Sequence, residues 1–191
     1  SLVCMGTPAF VTIDNTHSKL TYAPINESVG ANQTFSCSAS DGIGTSENVF
    51  YFSVTVINVN DAPLFDYQSQ VHVANFTGSG TIGDPFTFDV NEDSTTGEIR
   101  FVASDVDLGD TTTISCASQP SWVTIDQVND KLTLAPTPGD IGSNIIFNCK
   151  ASDGVLDSAK TIYFNANVID INNTPVFTYN AHSNISNFAG T

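Results

Sequence analysis

The strongest constraint on this chain is an internal repeat. Shifted by 112 positions, the sequence aligns with itself without a gap, and 31 of the 79 overlapping pairs are identical. The run Val-Thr-Ile-Asp at 11–14 recurs at 123–126, and Ala-Ser-Asp-Gly at 39–42 recurs at 151–154. A match of this length predicts one structural unit that occurs more than once.

The repeat sets the domain boundaries. The 191 residues hold about 1.7 copies of the unit. We predict that 1–61 is the C-terminal part of one unit, that 62–173 is a complete unit, and that 174–191 begins a third. The first copy lacks the counterpart of 62–112, so we expect these residues to be a window on a longer tandem chain.

Apolar residues in the complete copy recur with a period of two, which is the period of a strand with one buried face. Turn-forming residues separate these segments, and no segment has a helical stripe. We therefore predict an all-β protein of tandem β-sandwiches of the immunoglobulin or cadherin type, with about seven antiparallel strands in each unit. Residues 66–82 exceed a minimal sandwich and form either an added strand or a long loop. The clearest alternating sets are Phe86, Phe88 and Val90; Ile99, Phe101 and Ala103; Ile145, Phe147, Cys149 and Ala151; and Ile162, Phe164, Ala166 and Val168.

The charge of the chain excludes several partners. Five Lys and Arg residues against twenty Asp and Glu residues give a net charge of −15, so no basic patch for nucleic acid can form. The same balance argues against docking on anionic lipid, and no apolar run reaches the ~18 residues of a membrane span. With 13 Phe residues, the chain is also unlike a disordered acidic tail.

Each copy contains two cysteines separated by 33 positions. Of the three possible pairings, this recurrence favours Cys4–Cys37 and Cys116–Cys149, with free buried thiols as the alternative. Disulfides would indicate an oxidising compartment, and hence an extracellular or cell-surface location.

Five sequons point to the same compartment. N-linked glycans are expected on some of them if the source is a eukaryote. The acceptor residues are Asn26, Asn32, Asn75, Asn172 and Asn184.

Acidic residues gather where units meet. Asn58-Val59-Asn60-Asp61 precedes Ala62-Pro63, Asp105-Val106-Asp107 follows a predicted strand, and Asp153 lies in a copy of the Ala-Ser-Asp-Gly motif. Carboxylates at alternate positions of an exposed turn suit Ca²⁺, which takes six to eight oxygen ligands. The alternative is that these side chains only cap turns and hydrate the ends of the units.

These motifs resemble the cadherin superfamily, and most closely the dystroglycan-type cadherin-like repeats of large surface proteins. The resemblance covers about 55–173 directly and 4–55 through the repeat. It implies that linker and loop ligands meet at a junction and hold calcium. Because Asn58 stands where the family usually has an aspartate and one of its acidic motifs is absent, we expect at most an affinity on the order of 10⁻⁴–10⁻³ M. At the second junction the pattern is replaced by Asp170, Asn172 and Asn173, with Glu92 or Asp93 as a helper. The implied ligands at the first junction are Asn58, Asn60, Asp61, Asp105, Asp107 and Asp153.

No catalytic motif accompanies these residues, so we expect no enzyme. The leading hypothesis is an extracellular structural or adhesive rod or filament, in which each unit contacts mainly its neighbours in the same chain. Edge strands would also permit lateral or homophilic protein contacts. The alternative is a recognition module that binds a glycan or a protein through loops at one end of a unit.

Overall fold

The computed structural model describes residues 1–30 and 32–177. Strands make up 52% of it and helix 3%, which confirms the all-β prediction. Two single-turn 3₁₀ helices, Asn26–Ser28 and Pro138–Asp140, are the helical elements of the described ranges, and neither is long or apolar enough to cross a membrane. In chain order the strands are β1 (Leu2–Met5), β2 (Val11–Asp14), β3 (Lys19–Tyr22), β4 (Gln33–Ser40), β5 (Thr45–Val54), β6 (Leu64–Val71), β7 (Ala74–Thr77), β8 (Phe86–Asn91), β9 (Gly97–Ser104), β10 (Thr113–Ala117), β11 (Val123–Asp126), β12 (Lys131–Leu134), β13 (Gly142–Ser152) and β14 (Ile162–Ile169).

The second unit is a two-sheet sandwich. One sheet has the order β10-β13-β14-β8-β7 and the other β11-β12-β9-β6. The unit thus has nine strands where the sequence predicts about seven. One neighbouring pair, β8 and β14, is parallel, and the others are antiparallel. This parallel pair joins the first and last parts of the unit.

The core between these sheets is aromatic. Phe164 is fully buried and stacks on Phe147 with ring centroids 4.8 Å apart, while Phe88 and Phe101 meet it edge-on at 6.3 Å and 6.2 Å. Trp122 is buried in the same cluster. Burial of each such side chain stabilises the folded state by about 1.5–3 kcal/mol.

The segment 66–82 contains two strands. It supplies most of β6 and all of β7, which pairs with β8. The connection between β7 and β8 needs glycine at two positions. At Gly78, φ is +94° and a Cβ would lie 2.1 Å from the Pro85 carbonyl oxygen; at Gly80, φ is +76° and a Cβ would lie 2.5 Å from the Phe86 ring. This close approach lets the Gly80 carbonyl accept the Tyr163 N–H at 2.9 Å, which joins the connection to β14.

The first unit repeats the second half of the complete unit. Its β1-β4-β5 sheet matches β10-β13-β14, and its β2-β3 pair matches β11-β12. The strand register is the same in both units. Cys4 lies opposite Cys37 in the first unit, and Cys116 lies opposite Cys149 in the second. Among the described residues the buried core of the first unit consists of Val11, Phe35 and Cys37.

Both predicted disulfides are formed. Cys4 is bonded to Cys37 and Cys116 to Cys149, and all four cysteines are paired. Each bridge crosses two neighbouring antiparallel strands, with Cα atoms 4.1 Å apart. Closing a loop of this length stabilises a fold by about 3–4 kcal/mol in the chain-entropy model.

Candidate metal centre at the junction of the two units

Within the described residues, three hydrogen bonds connect the first unit and the linker to the second unit. The Asp61 N–H donates to Asp107 Oδ2 at 2.7 Å, and Asn60 Nδ2 donates to Asp153 Oδ2 at 2.8 Å. Farther back, Asn26 Nδ2 donates to the Val106 carbonyl at 2.8 Å. The linker is therefore held against two loops of the second unit, β9–β10 and β13–β14.

The β9–β10 loop gathers three carboxylates. Oxygens of Asp105, Asp107 and Asp110 all lie within 4.8 Å of one another. The loop is folded by its own backbone, because the Asp107 N–H donates to Asp105 Oδ1 at 2.8 Å and the Asp110 N–H donates to the Asp107 carbonyl at 3.3 Å. These two bonds occupy Asp105 Oδ1 and the Asp107 carbonyl, and they do not use Asp105 Oδ2 or Asp107 Oδ1.

Two of these oxygens are buried without a partner. Asp107 is only 4% exposed, and its Oδ1 accepts no hydrogen bond from any described residue. Asp105 Oδ2 is also buried and accepts no hydrogen bond from any described residue. A buried carboxylate oxygen without a donor is costly, and a hard cation offsets that cost. The donor set therefore fits Ca²⁺, which prefers oxygen ligands and tolerates irregular geometry.

Asp153 approaches the same junction from the β13–β14 loop. Its Oδ1 accepts the backbone N–H groups of Val155 and Leu156 at 2.6 Å and 2.7 Å. The Leu156 and Val155 N–H groups, followed by the Asn60 amide, lower the pKa of Asp153 below its ordinary value. Asp153 is therefore ionised at neutral pH and carries a negative charge at the linker.

The structure brings most of the sequence-predicted ligands together. Asn60 and Asp61 contact the two loops that carry Asp107 and Asp153. Asn58 is exposed and makes no side-chain hydrogen bond within the described residues, so the set is not assembled around it. The prediction did not include Asp110. Asp110 stands three residues after Asp107, and a tight loop brings its carboxylate back to Asp105 and Asp107. This spacing is the sequence signal that indicates Asp110 as a further ligand.

At the far end of the second unit lies a smaller acidic group. Glu92 is 1% exposed, its Oε1 accepts the Ile171 N–H at 3.2 Å, and its Oε2 has no partner among the described residues. Burial raises the pKa of Glu92, and the neighbouring carboxylates of Asp170 and Asp93 raise it further. Asn172 and Asn173, predicted to contribute here, are exposed.

The sequons differ in how accessible they are. The amide of Asn26 is engaged at the junction, so a glycan there would displace its bond to Val106. Asn75 is exposed but donates to Asp89 at 2.5 Å, and Asn32 is exposed and accepts from Ser53. Asn172 is exposed, and Asn184 lies outside the described residues.

Comparison with protein-family models gives no match, and comparison with curated protein sequences gives none. Among solved structures, an endo-fucoidan hydrolase of glycoside hydrolase family 107 is 24% identical with a TM-score of 0.36, over 89% of this chain and 24% of the hydrolase. Human protocadherin-24 EC1-2 is 16% identical with a TM-score of 0.47, over 88% and 81% of the two chains. Chicken VE-cadherin EC1-2 is 13% identical with a TM-score of 0.44, over 88% and 83%.

This chain thus spans about a quarter of the length of the hydrolase that it matches. With TM-scores below 0.5, the fold assignment rests on the chain's own strand order. That order, two facing sheets in one of which β8 lies parallel to β14, is a cadherin-like or immunoglobulin-like β-sandwich.

Proposed function

We propose that this chain belongs to a non-enzymatic extracellular structural or adhesive protein, in which calcium at the junction stiffens consecutive sandwich units. The observation that carries the proposal is Asp107. Its carboxylate is buried at the junction, one oxygen holds the linker through Asp61, and the other has no partner within the described ranges. One cation at that oxygen would bind two units at once.

The proposed ligands come from three segments. Asp105, Asp107 and Asp110 lie in one loop, Asp153 lies in another, and Asn60 and Asp61 lie in the linker. Calcium suits this set better than magnesium, because magnesium requires a near-ideal octahedron and keeps most of its water. With few charges outside the loop, we expect an affinity on the order of 10⁻⁴–10⁻³ M.

Charge explains why the cation would matter mechanically. The chain carries a net charge of −15, and three carboxylates converge within 4.8 Å at the junction. Without a cation these groups repel one another, and the linker is held by only a few hydrogen bonds. Calcium would replace that repulsion with attraction between the linker and the loops. The two disulfides support an oxidising location, where calcium at this affinity is available.

The test is a calcium titration of the whole chain followed by thermal unfolding. Binding at a site with this affinity would raise the melting temperature of the second unit up to about 10 mM calcium, by linkage. Asp107→Asn keeps the shape and the acceptor for Asp61 but removes the charge. We expect this variant to lose the calcium-dependent increase and to be at least as stable as the unsubstituted chain without calcium. An unchanged melting temperature in the unsubstituted chain would overturn the proposal.

A further inference from the structure

One peptide bond in the β7–β8 connection joins an aspartate to a proline. Of the eight prolines in the chain, Pro85 is the only one that follows an aspartate, Asp84. The carboxylate of an aspartate can attack its own backbone carbonyl carbon through a five-membered ring. The nitrogen of a following proline is a good leaving group, because it is more basic than an ordinary amide nitrogen. The nucleophile and the carbonyl therefore belong to the same residue, and no second molecule has to be positioned.

The carbonyl oxygen of Asp84 is surrounded by hydrogen-bond donors. The backbone N–H groups of Ser79 and Thr81 donate to it at 3.2 Å and 3.1 Å, and the Ser79 hydroxyl donates to it at 3.4 Å. This oxygen is the one that becomes negatively charged when the carbonyl carbon is attacked. Because the donors are in place before the reaction and can shorten their bonds as the charge develops, they form an oxyanion hole for this peptide bond.

Backbone contacts of the tight connection hold these donors in place. Thr81 and Asp84 form a bridge in both directions, since the Asp84 N–H also donates to the Thr81 carbonyl at 3.2 Å. The Gly80 carbonyl between the two donors accepts the Tyr163 N–H at 2.9 Å, which joins the connection to β14. The oxyanion hole is thus fixed by the fold of the unit and should be lost when the unit unfolds.

The side chain of Asp84 is available as the nucleophile. It is exposed, and within the described ranges neither of its carboxylate oxygens accepts a hydrogen bond or joins an ion pair. The aspartates of the two Ala-Ser-Asp-Gly turns differ, because Asp41 and Asp153 each accept two backbone N–H groups through Oδ1. The Asp84 carboxylate can therefore turn onto its own carbonyl carbon without breaking a contact that holds the turn.

We propose that the chain cleaves its own peptide bond between Asp84 and Pro85. A carboxylate oxygen of Asp84 bonds to the Asp84 carbonyl carbon, and the carbonyl oxygen takes the negative charge beside the Ser79 and Thr81 N–H groups. The carbonyl then re-forms and the C–N bond breaks. The Pro85 nitrogen takes a proton from a hydronium ion and leaves as an amine, and a cyclic anhydride remains at Asp84. Water opens the anhydride, so the net reaction is hydrolysis of one peptide bond.

Cleavage would leave the second unit in two pieces that stay together. Each fragment keeps one disulfide. Strands β6 and β7 of one fragment pair with β9 and β8 of the other, and the rings of Tyr67 and Phe86 pack across the cut with centroids 4.8 Å apart. The chain would then be continuous across this unit through strand pairing and ring packing in place of a covalent bond. This inference does not depend on calcium.

Intact mass measurement of the full chain tests the proposal. The folded protein is incubated at about pH 5, where carboxylates are mostly ionised and the solvent still supplies acid. We expect two fragments, residues 1–84 and 85–191, whose masses add up to the intact chain plus one water. Hydroxylamine should convert the new C-terminus into a hydroxamate, because it captures the anhydride. Asp84→Asn removes the nucleophile, should keep the fold, and should stay intact.

A second Asp–Pro bond in the same molecule is the matched control. Ala23→Asp places an aspartate before Pro24 in an exposed segment, where the carbonyl of residue 23 accepts no hydrogen bond from any described residue. Masses are measured after reduction of the disulfides. We expect the bond before Pro85 to break at least about tenfold faster than the bond before Pro24, since one oxyanion-hole donor is typically worth about 10²–10³ in rate. In guanidinium chloride the two rates should become about equal.

Four results would overturn the proposal. One is a folded chain that stays intact, and a second is equal rates at the two Asp–Pro bonds of folded Ala23→Asp. A third is cleavage of Asp84→Asn at the unchanged rate, which would indicate a contaminating protease. The fourth is a ratio of the two rates that is the same in the folded and the unfolded variant, because the difference would then come from neighbouring residues and not from the oxyanion hole.

Discussion

The Asp61 N–H and the Asp107 carboxylate, 2.7 Å apart, join the linker to the loop that follows β9. The contact uses one oxygen of a side chain that is 4% exposed and leaves the other oxygen unpartnered among the described residues. A hydrogen bond to an ionised group contributes about 1.5–3 kcal/mol. The junction is thus partly ordered by protein contacts, with an uncompensated charge at its centre.

Asp153 and its counterpart Asp41 provide a matched pair for the calcium ligands. Both fold the same turn by accepting two backbone N–H groups, but only Asp153 contacts the linker through Asn60. We expect Asp153→Asn to weaken calcium binding by about tenfold, which corresponds to about 1.4 kcal/mol. Asp41→Asn should leave calcium binding unchanged. Isothermal titration calorimetry measures both, and equal effects would show that Asp153 is only a turn residue.

The two units should differ in how much they depend on one repeated phenylalanine. Phe164 is fully buried among four other aromatic rings, so Phe164→Ala should cost about 3–5 kcal/mol in the second unit. Phe52 is half-buried and, among the described residues, stacks on Phe35 alone, so Phe52→Ala should cost about 1–2 kcal/mol. Denaturant unfolding, followed by amide signals from each unit, gives the two values. Similar losses of stability in the two variants would contradict the finding that the core of the first unit is more exposed than that of the second.

Removal of a disulfide should also affect the units unequally. Cys116→Ala with Cys149→Ala should lower the stability of the second unit by about 3–4 kcal/mol and leave it folded, because its core is extensive. Cys4→Ala with Cys37→Ala should abolish the cooperative transition of the first unit, whose buried core has three residues within the described ranges, one of them Cys37 itself. Calorimetry of both variants checks this, and a first unit that still melts cooperatively would contradict it.

Acid should weaken the second sheet of the complete unit through Glu98. Its two oxygens lie 2.5 Å from Lys131 Nζ and from Arg100 Nη2, and these contacts lower the pKa of Glu98, with Lys131 contributing most. Since the folded pKa is below the unfolded value, the stabilisation is complete above about pH 4.5 and is lost as the pH falls through the folded pKa. We expect Glu98→Gln to be less stable at pH 7 and equal to the unsubstituted chain in acid. Melting temperatures of both proteins across pH measure the difference, and a constant gap at all pH values would contradict this origin.

The period of two was sufficient to predict the sandwich, because strands such as β13 and β14 alternate over their whole length. It left 66–82 open between an added strand and a long loop; the structure forms the short β7 there, followed by a tight connection in which Gly80 approaches Phe86 closely. It could not predict the parallel pairing of β8 with β14, which joins residues about 78 positions apart. Both features depend on tertiary contacts that leave no local pattern.

The candidate site was predictable where ligands are close in sequence. Asp105 and Asp107 stand at alternate positions, and Asp153 is marked by its repeated turn motif. The sequence indicates Glu92 only as an alternative to Asp93, because the contact that distinguishes it comes from Ile171, which lies far away in the sequence. For Asn58 the sequence signal exceeds the structural support, because the family resemblance implies a calcium ligand at this position and the fold leaves the side chain exposed.

The most direct test of calcium-dependent stiffening is the distance between the two units. Thr12 and Thr124 are exposed counterparts in the two repeats. Each is replaced by a ketone-bearing residue to which a spin label is attached, so that both disulfides stay intact. Pulsed electron resonance then gives the distance distribution with calcium and with a chelator. We predict a narrower distribution with calcium in the unsubstituted chain and no narrowing in Asp107→Asn. A distribution of the same width with and without calcium in the unsubstituted chain would contradict the account.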